Sequence, residues 1–250
     1  MESDIKADEG GKGDAFAQDK KDEGGLKKNY TRMIIVFVIL VLAIPAGLFI
    51  KDMINRSDPE YYLRFQNQGI QYYKEGNLDK AAAEFKKAVK YGPDRFDTHF
   101  GLGQTYLMMK NHKAAIAELE KALKINPGHL GALYSVGVAY QQTGKDQEAL
   151  KAYYVVGKNL PNSFQVYYNM GIIHLKAGSM DKAVIGFKES ITLKPDFYPA
   201  YIALGQTYAT MGDKALARKE YEKVRKMTSG NPQTLLFANE AEKRLAELGN

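Results

Sequence analysis

Between residues 62 and 231 the apolar positions come as pairs of helical stretches, and each pair is followed by another of the same length. The first pair shows the pattern. Apolar and aromatic residues recur three and four apart from about Pro59, as they do along one face of a helix. Asp58 is placed to cap that helix, Pro59 suits its first position, and Gly76 suits the left-handed residue just past its end. A second amphipathic stretch runs from about Leu78 to Tyr91, and Pro93 stops it. Glycines then recur at Gly69, Gly103, Gly137, Gly171 and Gly205, each 34 residues from the last. Alanines keep the same step at Ala81, Ala115, Ala149, Ala183 and Ala217, and prolines at Pro93, Pro127, Pro161 and Pro195. Three columns at one period in this range describe a stacked solenoid of helical hairpins.

Size alternates with these columns. Gly69 has no side chain, so the second helix can close onto the first there, and Ala81 is small for the same reason on the facing helix. Phe65, Tyr72 and Phe85 fill the space between helices and between units. One large column reads Tyr72, Tyr106, Tyr140, His174 and Tyr208, another Phe85, Leu119, Tyr153, Phe187 and Tyr221. Glycine recurs at the turn inside each pair (Gly76, Gly144, Gly178, Gly212), with Lys110 the one departure.

The order aromatic, Leu-Gly, Tyr, Ala, Phe, Ala, Pro over 34 residues resembles the tetratricopeptide repeat. The second unit carries it well, with Leu102-Gly103, Tyr106, Ala115, Leu119, Ala122 and Pro127. The family's usual Trp is replaced by Phe65, His99, Leu133, Tyr167 or Tyr201, and the fifth unit has no proline in register. The resemblance implies an all-α fold, a right-handed α-α superhelix of five helical hairpins. They would occupy 62–95, 96–129, 130–163, 164–197 and 198–231, within residues 58–231. In residues 232–250 a last helix, from Pro232 to Leu248, is expected to cover the end of the stack with Leu235, Leu236, Ala241, Leu245 and Leu248. Glu240, Glu242, Lys243, Arg244 and Glu247 would face water.

The N-terminal end has another character. Residues 1–32 are polar and poor in apolar side chains, a composition expected to stay disordered. Residues 33–50 then run MIIVFVILVLAIPAGLFI without a charge. At about 1.5 Å per residue a helix of that length matches a bilayer core, so a single transmembrane anchor is expected, preceding the repeats. A cleaved signal peptide is the competing reading, against which the run is long and no clear cleavage site follows. Ala43 and Gly47 form a small-xxx-small pair at which two anchors would pack. Lys20, Lys21, Lys27, Lys28 and Arg32 precede the run, while Lys51, Arg56 and Arg64 follow it. This bias predicts a cytoplasmic N-terminus and extracytoplasmic repeats, periplasmic in a Gram-negative bacterium. The linker, 51–57, reaches at most about 25 Å, which would hold the array near the membrane.

Composition narrows the chemistry. The chain has no cysteine, so disulfides, thiol catalysis and cysteine-bound zinc are excluded. The net charge is +6, and the basic excess lies in residues 51–250, on interspersed positions such as Lys86, Lys87 and Lys90 that read as solvated helix faces. No continuous basic stripe with stacking aromatics is visible, so nucleic acid is not expected as a partner. His99, His112, His129 and His174 show no metal-ligand spacing, and His129 and Asp94 fall in loops between units. No nucleophile elbow, Ser-His-Asp grouping or phosphate loop appears, so the chain reads as non-catalytic and without a cofactor.

What remains is an interaction surface. The resemblance implies a concave groove lined by the fifth, ninth, twelfth and thirteenth positions of each unit. The fifth positions are Gln66, Phe100, Tyr134, Tyr168 and Ile202; the ninth are Ile70, Gln104, Val138, Ile172 and Gln206. Tyr73, Leu107, Gln141 and Leu175 follow from the twelfth, Met108 and Lys176 from the thirteenth. Such an apolar, amide-containing surface suits an extended segment or a helix with spaced apolar anchors. The other reading of Phe100, Tyr134 and Tyr168 is that they only seal neighbouring helices. Family members that grip a chaperone's carboxylate use Lys and Asn at the fifth and ninth positions; Gln66 with Ile70, and Phe100 with Gln104, do not fit that clamp. Two functions follow as expectations: a membrane-anchored scaffold recruiting a partner protein or peptide, and a homo-oligomer forming a membrane-bound lattice. The resemblance suggests pilus, secretion or cytochrome-maturation machinery or organelle coats, and no residue chooses among them.

Overall fold

Eleven α-helices run through residues 59–249, pairing in order as five hairpins followed by one last helix. They are α1 (Pro59–Lys74) with α2 (Leu78–Tyr91), α3 (Phe96–Met108) with α4 (His112–Ile125), and α5 (Leu130–Gln142) with α6 (Asp146–Asn159). Then come α7 (Phe164–Lys176) with α8 (Met180–Leu193), α9 (Tyr198–Met211) with α10 (Lys214–Thr228), and α11 (Leu235–Glu247). The computed structural model describes residues 59–249 together with Met33 and Phe37, which are helical and exposed. The expected anchor at 33–50 lies outside the described residues apart from those two positions, as do the tail 1–32 and the linker 51–57. Among the described residues no helix is long and apolar enough to cross a membrane. The chain divides into two units, residues 1–58 and 59–250, and the hairpins make up the second.

Every hairpin turns by the same device. Past the first helix, Gly76, Gly144, Gly178 and Gly212 take φ between 73° and 87°. The next residue's N–H then reaches back to the carbonyl of the large column, at 2.8–2.9 Å, on Tyr72, Tyr106, Tyr140, His174 and Tyr208. This is the Schellman arrangement, which satisfies carbonyls that a helix end leaves unpaired. In the second hairpin Lys110 holds the position at φ 58° and makes the same bonds. A side chain there costs about 1–2 kcal/mol of backbone strain. Asn77 and Asn111 cap the second helices that follow, accepting the N–H of Lys80 and Ala114.

The hairpins close on glycine. A Cβ built on Gly103 would lie 2.7 Å from Leu119, on Gly137 2.7 Å from the Tyr153 ring, and on Gly171 2.7 Å from Phe187. On Gly205 it would lie 2.6 Å from Tyr221, and on Gly69 3.0 Å from Phe85. The five large residues are themselves buried, and so is the whole alanine column. The core is therefore a series of four clusters, one at each joint between neighbouring hairpins, as a stack with only neighbour contacts requires.

The end of the stack departs from the sequence expectation. The chain leaves α10 at Thr228, takes a 3₁₀ turn at Pro232–Thr234 and only then enters α11. Phe237, Ala241, Leu245 and Leu248 cover the last hairpin. Leu235 and Leu236 do not: they are 58% and 75% exposed. At about 100° per residue, a stripe through 237, 241, 245 and 248 leaves Leu235 and Leu236 off the buried face. The carbonyls just past α11 are held by α10, Leu248 by Lys214 at 3.2 Å and Gly249 by Arg218.

Three substitutions test this construction. Gly137→Ala gains about 1 kcal/mol of helix propensity but overpacks a buried ring by about 1–3 kcal/mol. The net expectation is a loss of about 1–2 kcal/mol in chemical denaturation, whereas Gly128→Ala, with nothing within 4 Å, should lie within about 0.5 kcal/mol of wild type. Lys110→Gly should raise stability by about 0.5–1 kcal/mol, because relief of strain exceeds the entropy that glycine loses on folding.

Candidate functional site

The first helices α1, α3, α5, α7 and α9 carry all sixteen positions proposed for the groove, and nine of these gather at two clefts. The first, of about 470 Å³, is bounded by Gln66, Ile70, Tyr73 and Lys74 of α1 and by Asp97, Phe100, Gly101 and Gln104 of α3. Its floor is the ring of Phe85. That ring is pinned between two glycines, since a Cβ on Gly101 would fall 2.7 Å from it and one on Gly69 3.0 Å. The second cleft, of about 350 Å³, lies at the other end, between Tyr168 and Ile172 of α7, Ile202 and Gln206 of α9, and Leu236, Phe237 and Glu240 of α11. Here the exposed Leu236 has a place: the last helix supplies one wall.

The remaining seven positions line neither cleft. Leu107, Val138 and Leu175 pack against core clusters. Met108 is 59% exposed, and Lys176 is paired to Asp146 of α6 at 3.3 Å. Tyr134 and Gln141 belong to a polar network that joins the third hairpin to Asn169 of the fourth. The Tyr153 hydroxyl donates to Gln141 Oε1 at 2.9 Å, and the Asn169 amide donates to both Tyr153 and Tyr134 at 3.3 and 3.4 Å. Burial pushes the Tyr134 and Tyr153 phenols up from their ordinary range, so both stay protonated, Tyr153 as the donor to Gln141 and Tyr134 as an acceptor from Asn169.

Phe100 and Tyr168 each pack against neighbouring rings, as the sealing reading expects, and each also lines a cleft. Phe100 stacks on Phe96 at 5.4 Å and meets the His129 ring at 5.0 Å; Tyr168 meets Phe197 at 5.1 Å beside Phe164. The two triads sit two units apart in the same register, and each presents one ring to a cleft. His129 is thus not a solvated loop residue. It is half-buried, and its Nδ1 accepts the N–H of Ala132 at 3.1 Å, capping α5. The sequence offered one signal for this, an aromatic ring recurring at the last position of the second and fourth units.

Electrostatically the face is quiet, with one exception just behind Phe100. His99 is 3% exposed, with Nδ1 2.6 Å from Glu118 Oε2 and Nε2 2.6 Å from the Pro93 carbonyl. Sequence spacing gave no hint of the pair, because the partners lie 19 residues apart on facing helices. His174 is half-buried, and burial, with Lys182 nearby, pushes its imidazole down, toward the neutral form. Among the described residues no three His, Asp or Glu side chains gather as a metal site.

Tetratricopeptide repeat profiles match residues 67–129 and 111–158, and again 164–197 and 198–229, together more than half of the chain. The chain belongs to the tetratricopeptide repeat family. Solved structures agree on the fold of this repeat protein. A MamA crystal structure superposes with a TM-score of 0.63 at 24% identity, over 77% of this chain and 98% of that one. MamA residues 41 to the end from Desulfovibrio magneticus RS-1 give 0.66 at 18% identity, over 68% and 97%. YrrB, described as a TPR protein with an unusual peptide-binding site, gives 0.62 at 21% identity, over 74% and 92%. No curated protein matches the sequence. At these identities the likeness to the solved tetratricopeptide proteins is one of fold.

The polar network of the third hairpin has a measurable weight. Tyr153→Phe removes one hydroxyl from a fully buried ring and leaves Gln141 and Asn169 a partner short. It should cost about 1 kcal/mol in equilibrium denaturation, with the far-ultraviolet circular dichroism spectrum unchanged.

Proposed function

We propose that this tetratricopeptide repeat protein is a non-catalytic scaffold, anchored to a membrane through residues 33–50, that holds a partner's peptide or helix against its first helices. The observation that carries the reading is the pair of clefts at the two ends of that face. Both are lined mainly by aliphatic and aromatic side chains with a few amides, Gln66 and Gln104 in one and Gln206 in the other, and with Lys74, Asp97 and Glu240 as their charged members. Side chains of that kind take apolar anchors of a partner segment, while the amides bond its backbone. The peptide-binding site named for YrrB supports the same use of the fold. The uncharged run at 33–50, with more Lys and Arg before it than after, supports an N-terminus in the cytoplasm and repeats outside it. Held by a short linker, a bound partner would be concentrated at the membrane surface.

Self-association is the second reading, and one observation favours it. Leu235 and Leu236 stand exposed side by side at the end of the stack, where a solvated cap would be polar. Sizing of the full-length protein in detergent separates the readings. A larger species that dissolves on Leu235→Ser with Leu236→Ser supports assembly through that end.

The scaffold is tested by crosslinking in native membranes. Ile70→Asp combined with Leu236→Asp changes one exposed residue in each cleft, so stability should shift by about 0.5 kcal/mol per site or less. Capture of the partner should fall at least about tenfold, the loss expected when a charge enters an apolar anchor pocket at about 1.4 kcal/mol or more. Undiminished capture would place binding elsewhere. Protease added to intact spheroplasts reports the side: repeats digested before lysis support the orientation, and repeats cut only after lysis oppose it.

A further inference from the structure

The joint between the first and second hairpins holds a buried charged pair that the scaffold reading does not use. His99 of α3 lies between two acceptors: a carboxylate oxygen of Glu118 on α4, and the Pro93 carbonyl in the turn that leads out of α2. A carbonyl can only accept, so Nε2 must carry a proton. Glu118 is held ionised by Lys121, whose Nζ lies 2.8 Å from its other oxygen, so Nδ1 must carry one as well. Both bonds are made at once only by the imidazolium. We propose that His99 is a proton latch: its charged form ties the turn between the first two hairpins to the second hairpin, and loss of the proton loosens that joint.

The fifth hairpin shows what the same joint looks like without a titratable imidazole. There Tyr201 occupies the register of His99, Glu220 that of Glu118 and Lys223 that of Lys121. The Tyr201 hydroxyl donates to the Pro195 carbonyl at 3.1 Å, and Lys223 pairs with Glu220 at 2.8 Å. Phe65, Leu133 and Tyr167 stand at this register in the other units. The second hairpin is thus the one whose turn carbonyl is met by an imidazole among the described residues.

The influences on the ring oppose one another, and those of Glu118 and Pro93 prevail. The hydrogen bond to Glu118 raises the His99 pKa above its ordinary value, burial opposes this, and the Pro93 carbonyl and the Glu118 charge add to the rise against Lys121. For Glu118 burial acts upward, but the bonds from His99 and Lys121 prevail and hold the carboxyl below its ordinary range. Glu118 and Lys121 are the charged groups that act on the ring among the described residues. On α2, Lys86 lies over Tyr106, Lys87 on Glu84 and Lys90 over Tyr91; Asp94 and Arg95 of the turn are exposed, with Arg95 over Tyr62. A raised histidine contributes stability in full below its unfolded value, about 6.5, and loses it as pH rises through the folded value. A depressed glutamate contributes above about 4.5 and loses it as pH falls through its own folded value. The latch is closed between these limits and opens on the alkaline side.

The inference needs no partner, so it stands or falls separately from the scaffold. Hydrogen exchange of the full chain, corrected for intrinsic rates, is followed at amides 92–99 between pH 6 and 9. Wild type should lose protection there by about tenfold, the factor for one charge-assisted bond. His99→Tyr, which copies the joint of the fifth hairpin, should show a flat profile, and Tyr201→His should import the pH dependence at amides 194–201. Equal profiles for wild type and His99→Tyr overturn the latch. Should that variant misfold, nitrogen-15 spectra of the wild-type rings decide: a His99 still doubly protonated at pH 7 supports it, and one already neutral at pH 6.5 ends it.

Discussion

Each hairpin depends on a glycine meeting a ring or a leucine sixteen residues later. With no Cβ at Gly103, Gly137, Gly171 or Gly205, the large side chain opposite can lie against the backbone of the first helix, closer than any other residue permits. The close approach sets how the two helices cross, and burying the large side chain supplies the apolar area that makes the crossing stable. The same side chain then meets the next hairpin: Phe85 touches Gly69 within its own unit and Gly101 in the following one. The contact that folds a unit therefore also sets its pitch against its neighbour. A stack of such units has no central core to lose, and its stability is a sum of local and nearest-neighbour terms.

This explains what was legible in the sequence. Positions where only one residue type satisfies the backbone appear as columns: glycine at the crossing, alanine opposite, glycine in the turn, proline after the second helix. Those columns suffice for the helices and their order. Lys110 shows the reverse side, for the turn keeps its left-handed residue even where the column is broken, because the Schellman bonds on Tyr106 and Leu107 are supplied by backbone alone. What was hidden are relations between different residue types. His99 on the Pro93 carbonyl and Tyr201 on the Pro195 carbonyl are one contact written in two chemistries, so no column announces it. The last helix misled for another reason. Leu235 and Leu236 fit an apolar pattern in sequence, but the 3₁₀ turn at Pro232–Thr234 sets the phase of the helix, and Phe237 rather than either leucine faces the stack.

The groove residues separate on the same logic. Positions five and nine reach the surface at the two ends of the face, and there the family register places side chains in clefts. In the middle, the same register places Tyr134 and Val138 against neighbouring helices. Family membership thus locates the face, while the identity of the packed residues behind it decides which part of that face is open.

The large column itself differs between the first and third hairpins. In the first hairpin Phe85 fills the space between Gly69 and Gly101 and has no polar atom, so its ring forms an apolar floor on which a partner's side chain can rest. In the third hairpin the same position is Tyr153, whose ring is pressed on Gly137 just as tightly. Its hydroxyl must find a partner when buried, and it recruits Gln141 and Asn169, with Tyr134 joined through the amide. Those side chains are then committed to one another. One oxygen atom at a position required for folding thus puts a closed polar network in the third hairpin where the first has an apolar floor.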